Sequence, residues 1–392
     1  MSLTKKQEQG RKIAMERFQQ GEKYTTIAGL AGSGKTYLSK TIIESLGLKD
    51  RQFLVGAFTG KAALRLQENG FPQARTLHKI FYRTMKIPGI DDFIHVPKDK
   101  SDFNQYKVIL IDEVSMVPDS MLRAIAKTNL HVINIGDPFQ LPPIGKDNGM
   151  LSSPHIFLDE IVRQSEDSSI IRLAHNIRNR EPLSPFSDSH VKMYPKEELT
   201  TGMLEWADQV LCGKNETRKD LNNIIRQSKG LTGTLPKDGE KIIFTQNNWE
   251  FLNPEGNPII NGLIGYASNT STKASKDRKA AMFGEEGYFA YLDFTPDFGG
   301  QSFEKVKFDA LPFLRGEESY MNFKAKGRDR VNKIDFGYAI TTHKAQGSEY
   351  GKCLGIEERM RGTDHARWLY TMVTRCKDQL VLVYDPTSSI WK

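Results

Sequence analysis

The chain predicts an α/β fold in which parallel sheets are covered by helices, and three observations carry that expectation. Apolar, strand-like runs alternate with helical patterns along most of its 392 residues. A glycine-rich loop, "AGLAGSGKTYLSK" at Ala28–Lys40, lies between one such run and a helix. A second run, "VILID", ends in the carboxylates Asp112 and Glu113, at the strand end where open α/β sheets bind ligands.

The first strand is expected in "KYTTIAGL", which is β-branched, and the helix after the loop in "TYLSKTIIESLGL", whose apolar residues fall at helical spacing. Between them, Gly29, Gly34, Lys35 and Thr36 meet the pattern G-x-x-x-x-G-K-[ST] in full. Glycines let backbone N–H groups turn inward around an anion, and the helix that follows adds its N-terminal dipole. Ala31, Gly32 and Ser33 complete that cradle. Lys35 is placed to reach the β- and γ-phosphates, and the Thr36 hydroxyl to hold Mg2+. The pattern predicts an ATP-type nucleotide site rather than a plain glycine-rich turn.

Further strands are expected in "QFLVGAF", "YKVILID", "LHVINIG", "ADQVLCG", "KCLGI" and "QLVLVYD". A carboxylate pair on a strand end is either a cap or a catalytic pair. Behind a phosphate loop, Asp112 is expected to bind Mg2+ through water and Glu113 to polarise the attacking water. The run "INIGDPFQLPPIG" sets the amide Gln140 beyond another strand end, suited to sensing a γ-phosphate. Pro138, Pro142 and Pro143 stiffen that loop.

Composition narrows the partners. The formal charge of +7 favours a polyanion, although a merely soluble basic protein has the same balance. The three cysteines show no C-x-x-C spacing, which predicts a reducing compartment without disulfide or zinc frameworks. No apolar signal core and no run of about 18 apolar residues occurs, so a cytoplasmic protein is expected.

GLAGSGKT, IDEVSM and GDPFQLPP, in that order, resemble motifs I, II and III of superfamily 1 helicases, most closely the RecD/Dda-like, 5′-to-3′ subgroup. "LTKKQ" resembles the adenine-reading Q motif with Gln7 as the amide. "AFTGKAALRL" resembles motif Ia, "TLHKI" motif Ib, "LDEIVRQ" motif IV, "YAITTHKAQGSEY" motif V and "LYTMVTRCKDQLVLV" motif VI. The resemblance implies two RecA-like P-loop NTPase domains with ATP between them. It makes Arg163 and Arg375 the cations that answer transition-state charge across the cleft, and Gly347 a point where the backbone approaches the nucleotide. By the same resemblance Thr59, Lys61, Thr76, His78, Thr342, His343 and Lys344 face a single DNA strand.

The implied domains are 1A (residues 1–80 and 105–155), insertion 1B (81–104), 2A (156–240 and 334–392) and insertion 2B (241–333). In 1B, "KIPGIDDFIHV" reads as a short hairpin with Pro88-Gly89 in its turn region; the resemblance makes it the pin that splits a duplex, with Phe93 as the nearest candidate for its aromatic. Insertion 2B is rich in Gly, Asn, Phe and Tyr, as small β-modules are, and the resemblance implies that it is SH3-like; within it "STKASKDRKAAMFGEEG" is expected to be an exposed mobile loop. The implied activity is an ATP-dependent helicase moving 5′ to 3′ on single-stranded DNA, in replication, recombination or repair. Its cofactors are ATP and Mg2+. Its partners are single strands and strand–duplex junctions, with single-strand-binding or replication and recombination proteins beside them, and the protein itself a monomer. An ATP-gated strand clamp is the alternative from another class, and a P-loop kinase or small-molecule NTPase a second.

Overall fold

Strand β1 (Tyr24–Gly29) is buried at every residue after Tyr24, as a central strand covered on both faces by helices must be. The computed structural model describes residues 2–86, 93–142, 148–162, 168–276, 287–316, 330–359, 362 and 364–388. Pro143, Arg163 and residues 87–92 and 277–286 lie outside the described residues, as does the side chain of Phe93. The chain divides into two compact units. One comprises Met1–Phe81, Pro97–Thr217 and Ile340–Lys392, the other Tyr82–Val96 and Arg218–Ala339.

The first unit holds both parallel sheets. In one, β2 (Phe53–Ala57), β3 (Arg75–Thr76), β6 (Val108–Asp112), β7 (His131–Gly136) and β8 (Ile156–Leu158) join β1 in the order β3-β2-β6-β7-β1-β8. Every pairing is parallel. The adjacent strands β6, β7 and β1 therefore deliver Asp112, Gly136 and Gly29 to one edge of the sheet. Helices α1 (Lys5–Gln19), α2 (Lys35–Ser45) and α3 (Gly60–Glu68) cover it with Ala14, Leu38, Ile42 and Leu66, packed on Ile27, Val55, Leu110 and Ile133. Short helix α4 (Leu77–Phe81) lies on the other face, where a Cβ on Gly56 would meet Leu77 and Ile80, and α5 (Asp119–Ala126) packs beside it.

The second sheet contains β9 (Val191–Pro195), β10 (Gln209–Cys212), β19 (Ala339–Thr341), β20 (Tyr350–Ile356) and β21 (Cys376–Tyr384), ordered β19-β10-β20-β21-β9. Its described registers are parallel. Helices α6 (Ser169–Arg178) and α7 (Thr201–Trp206) belong to its surroundings, and α8 (Asn215–Ser228) carries the chain from the first unit into the second. Helix α10 (His365–Val373) is buried at seven of its nine residues, which fixes both its rotation and its depth.

The second unit is antiparallel. A two-stranded hairpin pairs β4 (Tyr82–Lys86) with β5 (Phe93–Pro97). The larger sheet runs β15-β16-β14-β11-β18, with β17 on β16. Its strands are β11 (Lys241–Phe244), β14 (Ile264–Ser268), β15 (Ser275–Lys276), β16 (Tyr288–Pro296), β17 (Phe303–Asp309) and β18 (Ile334–Phe336). A separate pair, β12 (Asn248–Leu252) and β13 (Pro258–Ile259), and the short helix α9 (Leu311–Arg315) lie in the same stretch. Its core is phenylalanine-rich, with Phe244 edge-on to Phe294 at 4.8 Å between ring centres.

Several expected boundaries move. Ile156–Leu158, expected to open 2A, pairs with β1 in the first sheet because Ile156 and Leu158 are buried in that sheet's core, and residues 218–240, also expected in 2A, fall in the second unit. Ile334–Phe336, expected to open the last part of 2A, pairs antiparallel with β11 because Ile334 is buried in the β-module's core. At the other insertion, residues after β5 return to the first unit: Phe103 stacks on Phe81 at 5.1 Å, and the Lys98 N–H donates to the Phe81 carbonyl at 2.9 Å. Among the described residues no helix is long and apolar enough to cross a membrane.

Candidate active site

The loop between β1 and α2 folds back on itself. The Ser33 hydroxyl donates to the Leu30 carbonyl at 2.8 Å, and the Lys35 ammonium donates to the Gly29 and Leu30 carbonyls at 2.9 Å each. Gly34, which precedes α2, has φ +72°, and a Cβ there would fall 2.5 Å from Gln7 Nε2. Gln7 itself is buried at the start of α1. Its Oε1 accepts the Thr4 N–H at 3.0 Å and its Nε2 donates to the Ser33 carbonyl at 3.0 Å. The amide thus braces the loop from beneath, a role the resemblance did not imply.

Asp112 and Glu113 leave the end of β6 nearly buried, at 5 and 7% exposure. Glu113 holds a left-handed backbone, φ +51°. A residue that sequence reasoning passed over sits on this pair. Arg65 of α3 donates from Nη2 to Asp112 Oδ2 at 3.0 Å and lies 3.6 Å from Glu113 Oε1, while its Nη1 meets Glu349 Oε1 at 2.5 Å. The signal for it was topological: α3 follows β2, and β2 is the neighbour of β6. Burial pushes the Glu113 carboxyl up; Arg65 pulls it down, Asp112 raises it further, and Arg375 and Lys35 lower it. Burial works against the Arg65 charge too, but Asp112, Glu349 and Glu113 outweigh it and hold the guanidinium protonated.

Those couplings bring residues of both sheets to one place. Arg375, 1% exposed, follows α10, where its Nε donates to the Thr371 carbonyl at 3.2 Å and its Nη1 to the Ser348 carbonyl at 3.2 Å. Arg163, the other expected cation, lies outside the described residues.

Helix α10 also grips the loop after β7. Arg367 donates to the Gln140 carbonyl at 2.6 Å and the Pro138 carbonyl at 2.8 Å. The Leu141 N–H donates to the Thr371 hydroxyl at 2.8 Å. Between them the Tyr370 hydroxyl donates to Asp137 Oδ2 and accepts the Ala31 N–H. Positions 367, 370 and 371 share one helix face; polar residues at that spacing in an apolar helix were the readable signal. From motif V, the Gln346 amide donates to the Leu141 carbonyl. The His175 ring lies 3.3 Å from the Ala31 carbonyl.

The expected strand-binding residues divide. Thr59 caps α3, its hydroxyl accepting the Ala62 N–H at 3.1 Å. The Lys61 ammonium lies 3.8 Å from the centre of the Tyr350 ring. The Thr76 hydroxyl accepts the Lys79 N–H at 3.3 Å, and the His78 ring is 5.6 Å from that of Phe58. His343 is half-buried, and burial lowers its pKa; the Lys344 N–H donates to the Thr341 carbonyl at 2.9 Å. Thr342 departs from expectation: it has no exposed surface, and its hydroxyl donates to the Cys212 carbonyl at 3.2 Å, so it is a wall of the fold. Gly347 has φ +72°, and a Cβ there would lie 3.0 Å from Met116 Sδ and 3.6 Å from the Thr59 hydroxyl, so the position takes only glycine without strain.

Comparisons with known proteins agree with this arrangement. An AAA domain model matches residues 3–197, and a UvrD-like helicase C-terminal domain model matches residues 336–383. The ATP-dependent RecD2 DNA helicase of Deinococcus radiodurans is 26% identical over 92% of this chain, which spans only 46% of that relative. The ATP-dependent DNA helicase dda of phage T4 is 28% identical over 88% of this chain and 90% of its own length. Among solved structures, Pif1 helicases described at forked double-stranded DNA align over 100% of this chain and 94% of theirs, at TM-score 0.53 and 19% identity. Bacteroides Pif1 bound to single-stranded DNA aligns over the same shares at TM-score 0.52 and 19% identity. These likenesses concern the fold. With two parallel sheets contributing to one phosphate-loop site, the chain resembles, along most of its length, ATP-dependent DNA helicases of the RecD2 and dda kind.

Proposed function

We propose that the chain hydrolyses ATP to move 5′ to 3′ along single-stranded DNA and to open duplex DNA ahead of it. One observation carries the reading: Lys35 and Glu113 of one sheet and Arg375 and Tyr370 of the other meet around a single loop. A kinase or simple NTPase has no use for a second sheet tied so directly to the nucleotide.

In this reading Lys35 exchanges its loop carbonyls for the β- and γ-phosphates, and the amides of Ala31, Gly32 and Ser33 surround them. Gln7 uses one N–H on the loop and keeps the other for the adenine edge. Glu113 orients and deprotonates the attacking water, Gln140 reads the γ-phosphate, and Arg375, with Arg163, takes up charge on the equatorial oxygens. The Thr36 hydroxyl and Asp112 carboxylate are hard oxygen donors of the kind Mg2+ takes, and they fit the ATP complex of that ion, which supplies divalent charge at the phosphates. Repeated closure of the two sheets around ATP then moves the strand-facing segments relative to one another.

Thr59, Lys61, Thr76, His78, His343 and Lys344 face the strand, and the β4–β5 hairpin is the wedge at the strand–duplex junction. The β-module of the second unit is SH3-like. A monomer in a reducing cytoplasm, alongside single-strand-binding, replication or recombination proteins, fits this reading; the three cysteines are free thiols.

The test is turnover with and without an oligonucleotide, followed by unwinding of duplexes bearing 5′ or 3′ tails. Strand-stimulated turnover and release from 5′-tailed duplexes are expected. Turnover indifferent to DNA would remove the motor, stimulation without unwinding would leave an ATP-gated clamp, and preference for 3′ tails would reverse the direction.

A further inference from the structure

Three carboxylates converge on one guanidinium. Asp112 and Glu113 stand on the first sheet, Glu349 at the head of β20 on the second, and Arg65 contacts all three. A purely structural ion pair needs one partner of opposite charge. Here a single cation spans the two carboxylates that handle water and phosphate and a third that belongs to motif V.

The helix that carries Arg65 meets the same segment twice more. Thr59 at its N-terminus lies beside Gly347, and Lys61 stands over the Tyr350 ring. Positions 59, 61 and 65 thus all read the placement of residues 347–350. Two of them, Thr59 and Lys61, are proposed strand contacts. The guanidinium is planar and holds its donors in a fixed fork, so it cannot follow Glu349 without changing what it offers Asp112 and Glu113.

Resting on the motor reading above, we infer that Arg65 is a positioning residue for hydrolysis, which sets Glu113 according to where segment 347–350 stands and so carries strand engagement into water activation. Coupling between two sites is reciprocal. The state of the nucleotide must therefore alter strand affinity through the same guanidinium.

The experiment compares the wild type with Glu349→Gln, Arg65→Lys, Arg65→Gln and the Arg65→Gln/Glu349→Gln double variant. Two quantities are read: the ratio of strand-stimulated to basal turnover, and the affinity for a labelled oligonucleotide with and without a non-hydrolysable ATP analogue. Glu349 is partly exposed, at 38% of its side chain, so its variant tests the link even where loss of Arg65 harms folding. Glu349→Gln and Arg65→Gln should each lower the ratio by roughly fivefold or more, an ordinary size for coupling between sites. Both should also flatten the dependence of strand affinity on nucleotide. Arg65→Lys should keep part of each effect, and the double variant should be no worse than Arg65→Gln. A stimulated wild type with an equally stimulated Glu349→Gln overturns the inference alone. A wild type whose turnover ignores the strand overturns the motor reading and the inference with it.

Discussion

The Tyr370 hydroxyl donates to Asp137 Oδ2 across 2.5 Å while accepting the Ala31 N–H at 3.0 Å. One buried phenol therefore joins the nucleotide loop to the loop after β7. Burial, reinforced by the Asp137 charge, pushes its pKa well above the ordinary tyrosine value. Tyr370→Phe removes the partner of one carboxylate oxygen, Asp137 Oδ2, and of the Ala31 N–H at once, while Asp137 Oδ1 keeps the Phe139 N–H. The expected cost is about 1–3 kcal/mol, read as a lower melting temperature, together with a fall in turnover measured at saturating ATP.

Lys35→Ala and Glu113→Gln should separate binding from cleavage. Without Lys35 the phosphates lose their cation, so both nucleotide affinity and hydrolysis should disappear. Glu113→Gln keeps the size of the side chain and removes the base. Cleavage should slow by about 10²-fold or more while a fluorescent nucleotide still binds, as single-turnover kinetics beside a binding titration will record.

Gly34→Ala tests the brace beneath the loop. The new Cβ meets the Gln7 amide, which is held at both ends, and must adopt φ +72°. Left-handed backbone alone costs an L-residue roughly 1–2 kcal/mol. Reduced thermal stability and at least a tenfold loss of nucleotide affinity are expected; a variant with wild-type affinity would remove Gln7 as a support of the loop.

Acid should weaken the fold before its carboxylates titrate. Burial holds His131, His155, His175 and His343 below the ordinary histidine value. A group whose folded pKa is depressed contributes stability that is complete above its unfolded value and is lost as pH falls. Stability should therefore be flat from about pH 8 to 7 and decline once pH drops below about 6.5, the unperturbed value. Thermal melts across that range, with His175→Gln for comparison, give the measurement.

The hairpin should be separable from hydrolysis. Phe81 and Lys98, which flank it, are joined by a backbone hydrogen bond of 2.9 Å, so a short Gly/Ser link in place of Tyr82–Val96 closes without strain. Strand-stimulated turnover should persist and unwinding of a 5′-tailed fork should be lost. Unwinding that survives would remove the wedge assignment.

The class of fold was legible because apolar runs and helical spacing are local properties, and because the phosphate loop is contiguous in the chain. Arg65, Arg367 and Tyr370 were not legible as parts of the site. Each acts on a partner far away in sequence: Arg65 on Glu349, Arg367 on Gln140, Tyr370 on Ala31 and Asp137. For Arg65 that meeting depends on the order of strands within the sheets, which no local pattern encodes; for Arg367 and Tyr370 the helical spacing marks a shared polar face but not the loops that face meets. The edges of the insertions were blurred for a related reason. Ile334–Phe336 is too short to show periodicity, and only its register on β11 shows which sheet it joins. Thr342 misled because a hydroxyl inside a strand-facing motif gives no sign that it points at Cys212.

Glu113 is the one residue of its strand end held in left-handed backbone without being glycine. The chain thus stands below its own optimum of robustness at the position to which the proposed mechanism gives water activation. Selection for heat resistance alone would reward Glu113→Gly or Glu113→Asn, since both residues tolerate that backbone. Such lineages would gain longevity in the test tube while, on the proposed mechanism, going silent as engines. A breeding scheme for a hardier form of this protein has to score work done alongside survival.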